Sequence, residues 1–189
     1  MIYISQIRNK NRWKTAAIIH YNIPSLSALN ELKFRNPVTF IVGENGIGKS
    51  TLVEAIAINA GFNPEGGSRN FNFSTMDSHS ALFEDIHVIQ TAYRNRDGYF
   101  LRAESFYNVA TAVDQYEAQK SYGGSLHERS HGESFLSLLN HRLNGNGLYI
   151  LMSQNRHCLY TKPNKRACRT EIAIYYCNTL PHPNGLSRS

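Results

Sequence analysis

Short apolar runs and stretches of helical periodicity take turns along residues 1–151, the order that an α/β domain produces. Met1 to Ile4 and Ala16 to Ile19 have the look of short strands, and Pro37 to Val42 that of a buried strand ending at Gly43. From Lys49 to Ala60 the apolar residues Leu52, Val53, Ile56, Ala57 and Ala60 share one face of a helix. Gly61 stands where a left-handed residue would stop it. Residues 63–79, rich in Gly, Asn and Ser, read as loop with one short strand. Ile86 to Ile89 and Gly98 to Ala103 are predicted to pair with each other as strands, with turn chemistry at Arg96-Asp97-Gly98. Helices are predicted over Ser105–Glu117 and Ser130–Leu143, with loop between them from Tyr122 to Arg129. Leu148 to Leu151 is a further buried strand, set off by Asn144-Gly145-Asn146-Gly147. The pattern holds no internal repeat and no sustained heptad.

At the junction of the Pro37–Val42 strand and its helix stands Gly43-Glu44-Asn45-Gly46-Ile47-Gly48-Lys49-Ser50, followed by Thr51. Every fixed position of G-x-x-x-x-G-K-[ST] is met, with an apolar strand before it and a helix after it. Glycines let the backbone curl until successive N–H groups converge into an anion nest, and the helix start adds the positive end of its dipole. Lys49 is then expected to reach the β- and γ-phosphates of ATP, and the Ser50 hydroxyl to ligand Mg²⁺. The plainer alternative is a Gly-rich turn that caps a helix.

Further along, Ser130-His131-Gly132-Glu133 fits the capping box S-x-x-E, in which Ser130 and Glu133 satisfy the first orphan donors of a helix. Phe135, Leu136, Leu138, Leu139 and Leu143 give that helix an apolar face. A cap alone accounts for neither the neighbouring glycine nor the direct run from the helix into a Gly turn and the Leu148–Leu151 strand.

The order of phosphate loop, long middle section, Ser-x-Gly-Glu helix and apolar strand resembles the ABC-type ATPase superfamily. It is most similar to the stand-alone bacterial AAA-family ATPases related to the SMC, RecF and OLD proteins. The resemblance covers about residues 1–151 and rests on Gly43 to Thr51, on Phe100-Leu101-Arg102-Ala103-Glu104-Ser105-Phe106 and on His127 to Phe135. It implies an α/β P-loop NTPase with the architecture of an ABC-type ATPase head, a mixed sheet with flanking helices. It also implies that ATP and Mg²⁺ are held at residues 43–51. Ser130, His131, Gly132 and Glu133 would close in trans over the γ-phosphate of a second subunit, in a head-to-tail homodimer. The middle section is too short, and too far from heptad spacing, for the coiled-coil arm of an SMC protein. DNA or a nuclease partner is open to such a head, though no residue points to either.

In such ATPases the strand after the signature helix ends in an Asp that holds Mg²⁺ and a Glu that activates water, continuing as Asp-Glu-Pro-Glu. Here Leu151 is followed by Met152-Ser153-Gln154-Asn155, and no carboxylate appears until Glu171. Without those groups the attacking water has no base and the metal no outer-sphere anchor. No catalytic residue is intact on this reading, and weak nucleotide binding with little or no hydrolysis is expected. A shift of reading frame accounts for the change. Met is encoded only by ATG, and restoring one G before it makes GAT, an Asp codon. Ser153, Gln154 and Asn155 can then be reread as Glu-Pro-Glu, and Cys177 to Pro181 as Leu-Gln-His-Ser-Pro.

Composition breaks at the same point. Residues 152–189 hold six basic side chains against one acid, Glu171, and so carry most of the net charge of +6. All three cysteines and three of the six prolines lie there too. Residues 1–151 are therefore read as the ATPase domain, in part, and 152–189 as an out-of-frame, poorly ordered tail. The tail's His157, Cys158, Cys168, Cys177 and His182 have no C-x-x-C spacing, which disfavours zinc. A nucleic-acid arm built from its Lys and Arg residues is the other alternative.

No apolar stretch approaches the roughly 18–20 residues of a membrane span, and Met1 to Ser5 lack the apolar core of a signal peptide. No membrane partner and a cytoplasmic location are expected. Weaker candidates for the site are Arg102 and Glu104 near a strand end, Gln90 and Gln115 as metal-facing glutamines, His127 and His131, and Trp13 and Tyr21 for stacking on adenine. A P-loop kinase would need a lid arginine cluster and a GTPase an Asn-Lys-x-Asp base reader. Neither is present, which leaves a non-catalytic, nucleotide-dependent interaction module as the main rival.

Overall fold

The computed structural model of the chain describes residues 2–10, 23–69, 80–93, 97–102, 106–115, 147–153 and 173–177, together with positions 120, 124, 127, 133, 134, 137 and 141. Two sheets enclose one long helix. The smaller sheet is antiparallel and has the order β2-β1-β5, from β1 (Ile4–Asn9), β2 (Glu31–Lys33) and β5 (Ile86–Gln90). The larger has the order β3-β8-β7-β6-β4, from β3 (Val38–Val42), β4 (Gly67–Ser68), β6 (Asp97–Arg102), β7 (Gly147–Ser153) and β8 (Ala173–Cys177). Its strands β3, β8, β7 and β6 run parallel, and only β4 is antiparallel, to β6. The helices are α1 (Pro24–Ser27), α2 (Lys49–Asn59), α3 (Leu82–Asp85) and α4 (Phe106–Gln115).

Helix α2 touches α3 and β5 on one side and β7 and β8 on the other, so it lies between the sheets. Its central residues Leu52 to Ala57 are all buried, more than the single face that periodicity predicts. A helix covered on two sides needs small or apolar residues nearly all round. One core joins Ile4 and Ile7 of β1, Val53, Ile56 and Ala57 of α2, Ile86 of β5, Phe100 of β6, and Leu148, Ile150 and Met152 of β7.

The predicted pairing of the Ile86 and Gly98 strands is overturned. β5 pairs with β1, while β6 pairs in parallel with β7, and the two lie in different sheets. Burial explains the separation. Tyr99, Phe100 and Leu101 are each 0 % exposed, a continuous run that suits an interior parallel strand. β5 has exposed residues at His87 and Gln90, as a strand of a partly solvated antiparallel sheet does. The Pro37–Val42 strand exists as β3, but it is not buried: Val38, Phe40 and Val42 are exposed at the margin of the larger sheet.

No strand is predicted after Leu151, yet β7 runs on to Ser153 and β8 occupies Ala173–Cys177. The backbone of β8 pairs with β3 on one side and β7 on the other. Its Ile174-Tyr175-Tyr176 core is β-branched and aromatic, a strand signal hidden by the basic, Cys-rich average around it. α1, β2 and α3 are likewise unannounced by periodicity, being three or four residues long. The Ala16–Ile19 strand and most of the Ser130–Leu143 helix lie outside the described residues. Of that helix, positions 133, 134, 137 and 141 are described and are helical.

Candidate nucleotide site

The loop from Gly43 to Gly48 joins the carboxyl end of β3 to the start of α2. In open parallel sheets this end is where ligands bind. Gly48 is the N-cap residue, with φ +90°, and no side chain caps the helix behind it. The first intrahelical bond runs from Leu52 N–H to the Gly48 carbonyl at 3.0 Å. A helix start of this form directs its first N–H groups, and the positive end of its dipole, toward an anion.

Lys49 is 5 % exposed, and its ammonium is satisfied by the loop itself. Nζ donates to the Gly43 carbonyl at 2.7 Å and to the Glu44 carbonyl. The charge therefore sits inside the loop, at a helix mouth, with Ser50 and Thr51 half-buried beside it. Glu44, Asn45, Gly46 and Ile47 form the exposed rim. Below the loop lies α1. A Cβ added to Gly48 would stand 2.9 Å from Leu26 and Ile23 carbons, and the Ser25 hydroxyl donates to the Ile47 carbonyl.

Sheet register relates the loop to the ends of the other strands. Val42 pairs with Cys177, and Cys177 with Ser153, so the three positions are level across β3, β8 and β7. The place where the resemblance calls for Asp and Glu is thus beside the loop, and the chain has Met152 and Ser153 there. Met152 is 1 % exposed and belongs to the core.

Arg102 ends β6, in register with Met152. Its side chain is half-buried and paired with a carboxylate of α2. Its Nη1 lies 2.7 Å from Glu54 Oε2, at the middle of α2, and donates to the Pro64 carbonyl at 3.5 Å. Glu54 Oε1 accepts from the Ser80 N–H at 3.0 Å. Nearby, Glu65 is also buried and accepts from Asn108 Nδ2 at 3.0 Å. This polar network ties α2 to β6, α4 and the 63–66 turn. Periodicity gives no sign of it: Glu54 falls off the face that Leu52, Val53, Ile56, Ala57 and Ala60 share, where a carboxylate is ordinarily solvated. Nothing in the sequence marks Ser25.

The other described candidates stand on other elements. Gln90 closes β5 in the small sheet and Gln115 closes α4, both exposed. His127 packs edge-on against Tyr107 of α4, with ring centroids 4.8 Å apart, and its Nε2 is 3.1 Å from Thr111 Oγ1. Glu133 is helical and exposed. Trp13, Tyr21, Glu104, Ser130, His131 and Gly132 lie outside the described residues, as do the tail's candidate zinc ligands His157, Cys158, Cys168 and His182 and the Cys177 side chain. Among the described residues no cluster of three or more His, Cys, Asp or Glu side chains could hold a metal ion, and no helix is long and apolar enough to cross a membrane.

A glycine loop at the carboxyl end of a parallel strand, wrapped round a buried lysine at a helix mouth, is the architecture of a P-loop NTPase. Comparison with known families reaches the same class, since the model of the AAA domain matches residues 21–170. The chain belongs to this AAA domain family, which binds nucleotide, generally ATP with Mg²⁺. No curated protein and no solved structure matches it.

Proposed function

We propose that the chain is the nucleotide-binding head of an ABC-type ATPase, similar to the stand-alone bacterial ATPases of the SMC, RecF and OLD group. ATP is held by Gly43 to Thr51, and Lys49 leaves the Gly43 and Glu44 carbonyls to pair with the β- and γ-phosphates. Supporting this above all else is the placement of Lys49, a buried ammonium closed in by the loop's own carbonyls at an uncapped helix start.

The donor set fits Mg²⁺ only in part. Ser50 would supply a hydroxyl ligand, whereas Met152 and Ser153 supply no outer-sphere carboxylate from β7. Bound Mg²⁺ neutralises charge on the β- and γ-oxygens. The residues of this chain orient the triphosphate, but Met152 to Asn155 hold no carboxylate to serve an attacking water as base, so nucleotide is bound and hydrolysed slowly or not at all. Ser130, His131, Gly132 and Glu133 are assigned to a trans contact in a head-to-tail homodimer, inside the cytoplasm. The reading of 152–189 as out of frame belongs to this proposal. Sequencing the coding DNA tests it, and a frame with no Asp-Glu-Pro-Glu reading after Leu151 ends it.

Lys49→Ala is expected to weaken ATP binding about 100-fold in calorimetry, the loss of two charge-assisted phosphate bonds. Unchanged binding would refute the assignment. The second reading, a module that binds nucleotide to order a surface and never hydrolyses it, is favoured by Met152 and Ser153. ATP turnover by a chain with Asp and Glu at these two positions separates the two.

A further inference from the structure

We infer that Ser25, outside the phosphate-loop motif, is a positioning residue for the phosphate nest; the inference rests on the nucleotide reading above. Its hydroxyl donates to the carbonyl oxygen of Ile47. A trans peptide unit is planar, and its C=O and the N–H that follows point in opposite directions. Drawing the Ile47 carbonyl down to α1 therefore turns the Gly48 N–H up, away from α1 and toward the side where a phosphate oxygen is received.

Two further features make α1 a floor rather than a passing neighbour. Leu26 is 2 % exposed, and its carbons and Cγ2 of Ile23 occupy the space that a side chain on residue 48 would need. α1 is itself closed as a turn by Ala28 N–H to the Pro24 carbonyl at 3.1 Å and by the Ser27 hydroxyl to the same oxygen at 3.0 Å. Ser25 thus presents its hydroxyl from a fixed backbone. Ser25 is exposed, so water replaces its bond at little cost to folding. What is lost without it is the direction of one amide.

The test uses the full chain, with Mg²⁺ATP and inorganic tripolyphosphate as ligands in calorimetry and thermal unfolding alongside. Ser25→Ala is expected to bind both ligands about three- to tenfold more weakly, with Tm within about 1 °C of the parent. Equal losses for the two ligands place the effect at the phosphates rather than the base. Ser25→Thr keeps the hydroxyl and is expected to bind within about twofold of the parent. Ser25→Asp removes the donor and adds a negative charge near the triphosphate, so it should lose more than Ser25→Ala. The inference is overturned if Ser25→Ala binds like the parent, or if Ser25→Thr loses as much as Ser25→Ala. Lys49→Ala keeps the two claims apart. If it leaves binding intact, the nucleotide reading falls and this inference with it; if it abolishes binding while Ser25→Ala does nothing, only the role of Ser25 falls.

Discussion

The two ends of α2 solve the same problem in opposite ways. Each end of a helix leaves backbone groups without intrahelical partners. At the carboxyl end the chain closes on itself. Gly61, with φ +87°, donates its N–H to the Ile58 carbonyl at 2.9 Å, and Phe62 donates to Ala57 at 3.0 Å, the paired bonds of a Schellman motif. Phe62 is buried, and Arg69 adds a bond from Nη2 to the Ala60 carbonyl at 2.7 Å while its guanidinium lies over the Phe62 ring. Burial lowers the pKa of Arg69 from its ordinary value. At the amino end there is again a left-handed glycine, Gly48, but no side-chain cap follows it. There the surroundings set the shape: α1 beneath, Lys49 within. One end is finished by its own backbone, and the other is held open by its neighbours for a guest.

The largest test falls midway between the ends. Arg102→Ala leaves Glu54 buried without its cation and is expected to cost about 3–5 kcal/mol of stability, read by urea unfolding. Replacing both residues, Glu54→Leu with Arg102→Leu, should recover most of that loss. This change weakens α2 as a whole, so it should not distinguish one end from the other. Gly48→Ala does. It forces a side chain into a left-handed backbone and against Leu26, at a cost of about 2–3 kcal/mol, and it should also weaken ATP binding by distorting the mouth. Gly61→Ala meets nothing within 4 Å and bears only the backbone term, about 1 kcal/mol, with ATP affinity unchanged. Equal effects of the two glycine changes on affinity would break the comparison. Smallest of all, Arg69→Ala should cost about 0.5–1 kcal/mol, the net value of one hydrogen bond with a helix-end charge, and leave binding alone.

How legible this was in the sequence depended on the range of the signal. The phosphate loop and α2 are local: their glycines, lysine and apolar face lie within twenty residues, and both ends of α2 were placed to within a residue. β7 was legible as an apolar run between a Gly turn and a polar stretch. Partner choice was not. Turn chemistry at Arg96-Asp97-Gly98 suggested a hairpin, but the unbroken burial of Tyr99, Phe100 and Leu101 draws β6 into the parallel sheet beside β7. The Glu54–Arg102 pair joins residues far apart in the chain, and each alone looks ordinary, Glu54 falling off the apolar face of α2 by periodicity. Ser25 was invisible because its role depends on where a four-residue helix comes to rest. β8 was hidden by averaging, since the three strand-favouring residues Ile174, Tyr175 and Tyr176 sit in a segment whose overall composition resembles a solvated arm.

The place of β8 in the larger sheet sets a timetable for making the molecule. The strand that carries the phosphate loop has no ladder partner among its near neighbours in sequence; its hydrogen bonds go to residues synthesised long afterwards. Until residues 173–177 have left the ribosome, β3 and β7 have nothing between them, and the loop hangs from a strand with two open edges. Pairings of such long range close slowly and leave apolar surface bare in the meantime. A chain stopped before residue 173 would therefore lose more than an appendage; it would lose the beam that ties the nucleotide grip to the rest of the floor.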